Sequence, residues 1–221
     1  MRKVKINPHP GLFVAIEGLD ASGDTTQAML LAGWLKSLFG ERLVKLTKEP
    51  TNHTVGGLIR DSLQHLYKIS PFGLQITFAS DRSYHLEQDM EPVLAEGGIV
   101  VTDRYYFSSF AYGSVGLTLR EQRAIRQVNS QFIHPDVIIL LKVLPEECAQ
   151  RQARSRSQQE LFERTEILRR VWAAYEELAR EYPNVYIVDG TATPDQVSSA
   201  IIKIIGAHPK FKELLETVEI D

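Results

Sequence analysis

The sequence predicts an α/β protein whose core is a doubly wound parallel sheet. Two observations support this prediction: short apolar runs alternate with amphipathic stretches, and the turn after the first run is rich in glycine. Strands that alternate with helical stretches of roughly 10–15 residues form parallel sheets, because each helix returns the chain to the start of the next strand. The chain has 221 residues, 43% hydrophobic and 24% charged, so we expect residues 1–221 to form one domain with its core at about 12–205.

The strands are predicted from short runs of β-forming residues that end in turns or polar residues. These runs are 12–16, 43–46, 99–102, 137–143 and 185–188. The first is preceded by Pro10-Gly11 and closed by Glu17-Gly18, and the fourth is the clearest central strand because it is apolar almost throughout.

The helices are predicted from apolar residues at helical spacing and from prolines at first helical positions. They are 25–39, 55–67, 71–94, 119–132, 145–151, 161–182 and 196–205, and the tail after Ala207 can form one more short helix. In the first helix the spacing is carried by Met29, Leu30, Trp34, Leu35 and Leu38. In the second helix it is carried by Leu58, Ile59, Leu63 and Leu66.

The turn between the first strand and the first helix is a phosphate-binding loop in all but one position. Residues 18–25 match the pattern G-x-x-x-x-G-K-[ST], except that Asp24 stands where the pattern requires lysine. Gly18 and Gly23 let successive N–H groups point toward a phosphate, and the helix that follows adds its positive end. Thr25 supplies the hydroxyl expected to bind Mg²⁺. We expect ATP to contact Gly18, Leu19, Asp20, Ala21, Ser22, Gly23, Asp24, Thr25 and Thr26.

Asp24 changes the electrostatics of this loop. It replaces the positive charge that contacts the β- and γ-phosphates with a negative one. A pair of unit charges at ~4 Å and an effective dielectric of ~20 interacts by about 4 kcal/mol, so the exchange costs several kcal/mol of phosphate binding. An acidic residue in the first helical turn is also favoured by the helix dipole, so its carboxylate could occupy the anion site itself.

Polar residues follow the predicted strands on the edge where ligands bind in such sheets. Asp20, Glu49, Asp103 and Arg104 all come just after a strand, and we expect them to converge near the loop. A carboxylate in the position of Asp103 holds Mg²⁺ directly or through water in phosphate-loop enzymes, so Thr25 and Asp103 are the expected metal ligands. The alternative for Asp103 and Arg104 is a structural ion pair at the end of a strand.

A run of arginines indicates a lid at about 151–164. Arg151, Arg154 and Arg156 flank a polar stretch, and guanidinium groups that close over a transferring phosphoryl group stabilise its charge. The alternative is a solvated helix face.

The composition limits which kinds of partner and which compartment we expect for this chain. The net charge of −3 and the pI near 6.1 lack the broad basic footprint of a nucleic-acid-binding protein. Apolar runs are too short to cross a membrane, and the single cysteine fits a reducing compartment, so we expect a soluble, cytoplasmic protein.

The motifs together resemble the thymidylate kinase family of nucleoside-monophosphate kinases. The resemblance covers about residues 12–205 and rests on five patterns: FVAIEGLDxxGxTTQ at 13–27, KEP at 48–50, FASDR at 78–82, DRYxxSSxAY at 103–112 and PExxxxR at 145–151. It implies a phosphate-loop kinase fold and transfer of a phosphoryl group from ATP to dTMP with Mg²⁺.

The resemblance also implies roles for individual residues. Phe78 is expected to stack on thymine, Arg82 to bond its edge, and Tyr112 to pack against the deoxyribose. The acceptor phosphate is expected at Arg60 and Arg104, with Asp20, Glu49 and Ser109 nearby. The implied catalytic residues are Asp20, Asp103, Arg104, Arg151, Arg154 and Arg156. The alternative for Phe78 and Tyr112 is a role in the core.

Two alternative functions remain beside dTMP phosphorylation. One is a catalytically impaired family member that binds nucleotides or a partner, because Asp24 has replaced the loop lysine. The other is a kinase for another nucleotide acceptor, such as dUMP. The family also implies a homodimer.

Overall fold

The central sheet is parallel and has five strands. The computed structural model describes residues 2–152 and 158–218, with the side chains of 158–163 and 218 excepted. The strand order is β3-β4-β2-β6-β7, and the bounds are β2 Leu12–Gly18, β3 Val44–Lys48, β4 Ile99–Asp103, β6 Val137–Lys142 and β7 Val185–Asp189. The chain therefore crosses between both halves of the sheet, which confirms the predicted doubly wound fold.

Helices cover both faces of the sheet. Their bounds are α1 Asp24–Phe39, α2 Thr54–Leu63, α3 Pro71–His85, α4 Glu91–Ala95, α5 Tyr106–Gly116, α6 Leu119–Asn129, α7 Pro145–Gln152, α8 Gln158–Glu181, α9 Pro194–Ala207 and α10 Pro209–Val218. A π-helical turn, Leu86–Met90, joins α3 to α4, so the predicted helix from 71 to about 94 is continuous with a local change of pitch. In the described part of the chain, no helix is both long enough and apolar enough to cross a membrane.

Strand β2 lies at the centre of the core. All seven of its residues are buried, and alternate side chains point to opposite faces. Phe13 and Ala15 join the cluster with residues of α5, α6, α7 and α8, whereas Val14 and Ile16 join the cluster with α1, α9 and α10. Burial on both faces explains why this strand is an unbroken apolar run up to Glu17.

The first two helices bury only one each of the residues that carry the predicted spacing, Leu35 and Ile59. In α1, Met29 is 60% exposed, and the buried stripe consists of Ala28, Leu31, Ala32, Leu35 and Phe39. The helix lies where it was predicted, but of the residues that carry the predicted spacing only Leu35 belongs to this stripe. In α2, Ile59 is buried but Leu58, Leu63 and Leu66 are exposed. This helix ends four residues early, since His65 has a positive φ of 64°.

Two features went unpredicted. Helix α5 is rich in aromatic residues, serine and glycine, which favour helices only weakly, and burial of Tyr106, Phe107, Phe110 and Ala111 stabilises it instead. A second parallel sheet pairs β1, Lys5–Ile6, with β5, Ile133–His134, and two-residue strands leave no sequence period. The predicted helix 119–132 correspondingly ends at Asn129.

Candidate active site

The phosphate loop connects the end of β2 to the start of α1. Gly23 has a φ of 102° and precedes the first residue of α1, so its lack of a Cβ lets the chain enter the helix in a left-handed conformation. A Cβ on Gly18 would lie 2.4 Å from the Ser22 hydroxyl, so a larger residue there would force the Ser22 side chain to move. Among the described residues the buried Ser22 hydroxyl has no hydrogen-bond partner. The backbone thus has the form that the pattern predicts.

Asp24 forms an ion pair with Arg104 across this loop. Both side chains are mostly buried, at 10% and 14% exposure. Arg104 Nη2 also lies 3.4 Å from Asp20 Oδ1, and its Nε lies 4.0 Å from Asp103 Oδ1. Its Nη1 donates to the carbonyl of Gly18. Burial would lower the pKa of Arg104, but the surrounding acids, Asp24 foremost, raise it well above the ordinary value. One guanidinium therefore lies within ion-pair distance of three carboxylates.

Thr25 and Asp103 lie side by side at the edge of the loop. The Thr25 hydroxyl donates to Asp103 Oδ2 at 2.6 Å. Burial and the charge of Asp24 raise the pKa of the Asp103 carboxyl. A hydroxyl and a carboxylate oxygen fit Mg²⁺, which keeps several waters and takes phosphate oxygens as further ligands. In the described residues no group of three or more acidic, histidine or cysteine side chains is placed to hold a metal, so an all-protein cage is absent there.

A buried carboxylate that the sequence analysis did not select lies beneath Arg104. Glu17 accepts hydrogen bonds from Ser108 Oγ at 2.6 Å and from Tyr175 OH at 3.1 Å. Arg104 Nη1 lies 3.3 Å from both of these hydroxyl oxygens. Burial raises the pKa of Glu17 to about 7, despite the nearby positive charge of Arg104. The signal in the sequence was an acidic residue inside a wholly buried strand.

A cavity of about 780 Å³ opens beside the loop. Its lining includes the predicted acceptor residues Glu49, Phe78, Arg82, Arg104, Ser109 and Tyr112, together with Asp20. The backbone N–H of Asp20 donates to the Tyr112 hydroxyl at 2.8 Å, which joins the cavity wall to the phosphate loop. A pocket of this size suits a small ligand such as a nucleotide.

Arg82 forms a buried ion pair with Glu49 in the wall of this cavity. The Arg82 Nη2–Glu49 Oε2 distance is 2.5 Å, and the side chains are 1% and 2% exposed. Arg82 also donates to the side chain of Asn129 and lies over the Tyr105 ring, 5.0 Å from its centroid. Its guanidinium is held in one orientation by groups from three separate parts of the chain, since Glu49 follows β3, Asn129 ends α6 and Tyr105 precedes α5.

Arg60 is the one predicted acceptor residue that the cavity lining does not include. Its Nη1 donates to the carbonyl of Thr51 and lies 3.5 Å from that of Pro50. The structure thus places it against the connection from β3 to α2 rather than in the wall of the cavity. Its predicted contact with the acceptor phosphate remains a prediction.

One predicted lid arginine reaches the phosphate loop. Arg151 Nη1 donates to the carbonyl of Ala21 at 3.0 Å, and its Nη2 pairs with Glu147 at 2.6 Å. Arg164 Nη2 lies 3.6 Å from Asp20 Oδ2. Arg154 and Arg156 lie outside the described residues, as does the middle of the predicted lid.

The fold and the loop define the class of protein: an α/β nucleotide-binding protein of the phosphate-loop class, with the 780 Å³ cavity beside the loop. The sequence matches the thymidylate kinase family over residues 16–201. The chain therefore belongs to the thymidylate kinase family.

Individual relatives agree with this assignment. The chain is 37% identical to a probable thymidylate kinase of Pyrococcus horikoshii over 201 residues, which cover 88% of this chain and 96% of that protein. It is 36% identical to a thymidylate kinase of Leifsonia xyli, covering 87% and 93%. The structure of thymidylate kinase from Candida albicans matches with a TM-score of 0.72 and 26% identity, covering 91% and 93%. That of thymidylate kinase from Ehrlichia chaffeensis, at 22% identity and a TM-score of 0.71, covers 88% and 98% and supports the fold.

Proposed function

We propose that this chain transfers the γ-phosphoryl group of ATP to dTMP, giving dTDP and ADP. The observation that supports this most strongly is the position of Arg104, which lies between the phosphate loop and the 780 Å³ cavity and contacts Asp20 and Asp24. Transfer between two nucleotides requires their phosphates to meet in one place, and a guanidinium suits phosphate oxygens there.

The acceptor side of the site would recognise dTMP by shape and by hydrogen bonds. We assign Phe78 to stacking on thymine, Arg82 to its polar edge, and Tyr112 to the sugar. The role of Arg82 is supported by its contacts with Glu49 and Asn129, because they fix the orientation of the guanidinium before any ligand arrives. Arg60, Arg104 and Ser109 would bind the acceptor phosphate and its surroundings.

The donor side would hold ATP by the backbone N–H groups of residues 18–26 and by Arg151, which already contacts the loop. Thr25 and Asp103 would hold Mg²⁺, which when bound neutralises charge on the phosphates. Asp20 would orient Arg104 and Arg164, and the arginines 154 and 156 remain candidates for the lid.

A catalytically impaired family member remains the alternative; the relatives named thymidylate kinase do not favour it, and it rests on Asp24 alone. Asp24 places a carboxylate in the first turn of α1, and Arg104 holds it there. If that pair persists when ATP arrives, the negative charge opposes the phosphates.

We also propose that the chain acts as one domain, in the cytoplasm and as a homodimer. Exposed Leu58, Leu63 and Tyr84 on α2 and α3 offer an apolar surface for the dimer contact.

The experiment is ADP formation with ATP and Mg²⁺ and with dTMP, dUMP or AMP as acceptor, for this chain and for Asp24→Lys. We expect turnover with dTMP to exceed that with AMP, because the residues that we assign to thymine and the deoxyribose, Phe78, Arg82 and Tyr112, line the cavity. Turnover with AMP or dUMP but not dTMP would overturn the acceptor assignment. Activity restricted to Asp24→Lys, with dTMP still binding to both proteins in calorimetry, would establish the impaired alternative.

A further inference from the structure

A second cavity, of about 290 Å³, lies between the N-terminal segment, α6 and the end of α8. Five cationic residues line it: Arg2, Lys3, Lys5, Arg123 and Arg126. No aspartate or glutamate belongs to its lining in the part of the chain that the structure describes. We call it the basic cavity. Neither the phosphate loop nor a residue assigned above to ATP or dTMP contributes to it.

The positive charge of the basic cavity is poorly compensated. Arg2 and Arg126 share one carboxylate, Glu181, at 2.8 and 3.1 Å. Lys5 donates to the carbonyl of Gln131 at 3.1 Å, which offers no charge. Lys3 and Arg123 have no ion-pair partner among the described residues. A local excess of this kind, in a chain whose net charge is −3, attracts anions and raises their local concentration.

Aromatic rings hold two of these cations in place. The Arg126 guanidinium lies 5.2 Å from the centroid of Phe110, and that of Arg2 lies 5.8 Å from Tyr182. Because rings restrict the guanidinium groups, less conformational freedom is lost when they bind a ligand. Guanidinium forks match phosphate oxygens in pairs, and lysines add point charges, so the chemistry fits a phosphate chain better than a single carboxylate.

The basic cavity shares a wall with the acceptor cavity. Asn129, at the end of α6, lines the basic cavity and is 1% exposed. Its side-chain oxygen accepts from Arg82, which lines the acceptor cavity, and its nitrogen donates to the carbonyl of Ile125 at 2.9 Å. On α5, Ser109 faces the acceptor cavity while the next residue, Phe110, faces the basic one. A ligand that shifts α6 therefore moves a partner of Arg82.

We propose that the basic cavity binds the phosphate chain of an inorganic polyphosphate or of a nucleoside polyphosphate, and that this binding changes the affinity for dTMP through Asn129 and Arg82. The second half of the proposal rests on the proposed function, because it takes dTMP as the ligand of the acceptor cavity. Coupling of this kind is reciprocal, so it is measurable from either site.

The test is titration calorimetry of the full chain with inorganic triphosphate and with dTTP. The variant Lys3→Gln/Arg123→Gln removes two unpaired cations of the cavity, and Arg120→Gln/Lys212→Gln removes two exposed cations outside it as a matched control. We expect triphosphate binding to weaken at least tenfold in the first variant and to stay within twofold in the control. The acceptor cavity would also bind the thymidine part of dTTP, so only the affinity lost in Lys3→Gln/Arg123→Gln is assigned to the basic cavity. A larger loss for dTTP than for triphosphate would identify a nucleoside contribution there, whereas an equal loss would identify the phosphate chain alone.

Equal triphosphate binding by both double variants would overturn the site. For the coupling, dTMP affinity is measured with and without saturating triphosphate, and a change of at least threefold is expected in the chain and the control but not in Lys3→Gln/Arg123→Gln. No change in any of the three proteins would overturn the coupling. Absence of dTMP binding would overturn both the coupling and the proposed function, while the triphosphate titration still decides the site.

Discussion

Replacing Asp24 with asparagine removes one negative charge from the phosphate loop and keeps the size of the side chain. The Asp24 carboxylate is 10% exposed and is held by Arg104, so solvent screens it little. We expect Asp24→Asn to raise kcat/KM for ATP, because the phosphates then meet a neutral amide and a less fully neutralised Arg104.

The magnitude follows from Coulomb's law. For a phosphate charge assumed at about 7 Å and an effective dielectric of about 20, one carboxylate opposes the nucleotide by about 2.4 kcal/mol. Partial neutralisation by Arg104 lowers this to about 1.4 kcal/mol, which corresponds to about tenfold in kcat/KM. Arg104 keeps Asp20 as a partner 3.4 Å away, so the buried guanidinium is not left without a carboxylate.

The assay is coupled ADP release at varied ATP and saturating dTMP, with Asp195→Asn as the control. Asp195 also lies in the first turn of a helix, α9, but is exposed and outside the site, so its variant should match the parent chain. If Asp24→Asn were no more active than the parent chain while it folds and binds dTMP equally well, the electrostatic reasoning would be refuted. The Asp24–Arg104 pair would then be a part of the working site.

Three further predictions concern the buried acid, the acceptor cavity and a tight packing contact. Folded Glu17 has a pKa of about 7 against an ordinary 4.5, so between these pH values the folded state keeps a proton that the unfolded state loses. The free energy of unfolding should therefore fall by about 3 kcal/mol as pH rises through this window. Glu17→Gln should lack that fall in urea titrations at pH 4.5 and 8. The same pH dependence in Glu17→Gln as in the parent chain would contradict the burial argument. Phe78→Ala should raise KM for dTMP at least tenfold while KM for ATP stays within twofold. Phe72→Ala serves as the control on the same helix. An equal rise of the two KM values in Phe78→Ala would argue against stacking. Gly11→Ala should lower the free energy of unfolding in urea titrations by about 1–3 kcal/mol, because its Cβ would lie 2.2 Å from the Gly98 carbonyl oxygen. The control Gly33→Ala, in open space within α1, should be neutral or stabilising. Equal stability of both variants would contradict the packing argument.

The sequence was most informative where local chemistry dictates local structure. The order of strand, glycine loop and helix at 12–39 follows from turn glycines and from apolar periods, and the structure confirms it. Helix α5 escaped prediction because its stability comes from burial of Tyr106 and Phe107 rather than from propensity. In α1 the spacing of the large apolar residues did not identify the buried stripe, because two small residues, Ala28 and Ala32, are part of it.

Contacts between distant residues were beyond what a linear pattern contains. An acid at position 24 predicts weaker phosphate binding and a carboxylate able to occupy the anion site. Its pairing with Arg104 depends on the position of the chain after β4, which the sequence pattern does not contain. Glu17 was treated as the end of a strand, because nothing nearby in sequence indicates Ser108 and Tyr175 as its partners. The roles of the individual site residues remain predictions.

The buried pair of Arg82 and Glu49 limits the paths by which the acceptor site can change through substitution. Removing one member of such a pair leaves the other charge buried and alone, which destabilises proteins by about 3–5 kcal/mol, whereas replacing both by apolar residues is often neutral. That loss approaches the entire stability of many domains. The two positions are therefore expected to change together or not at all. An inhibitor that forms hydrogen bonds with Arg82 would be difficult to evade by a single substitution, because replacing Arg82 alone would risk unfolding the protein.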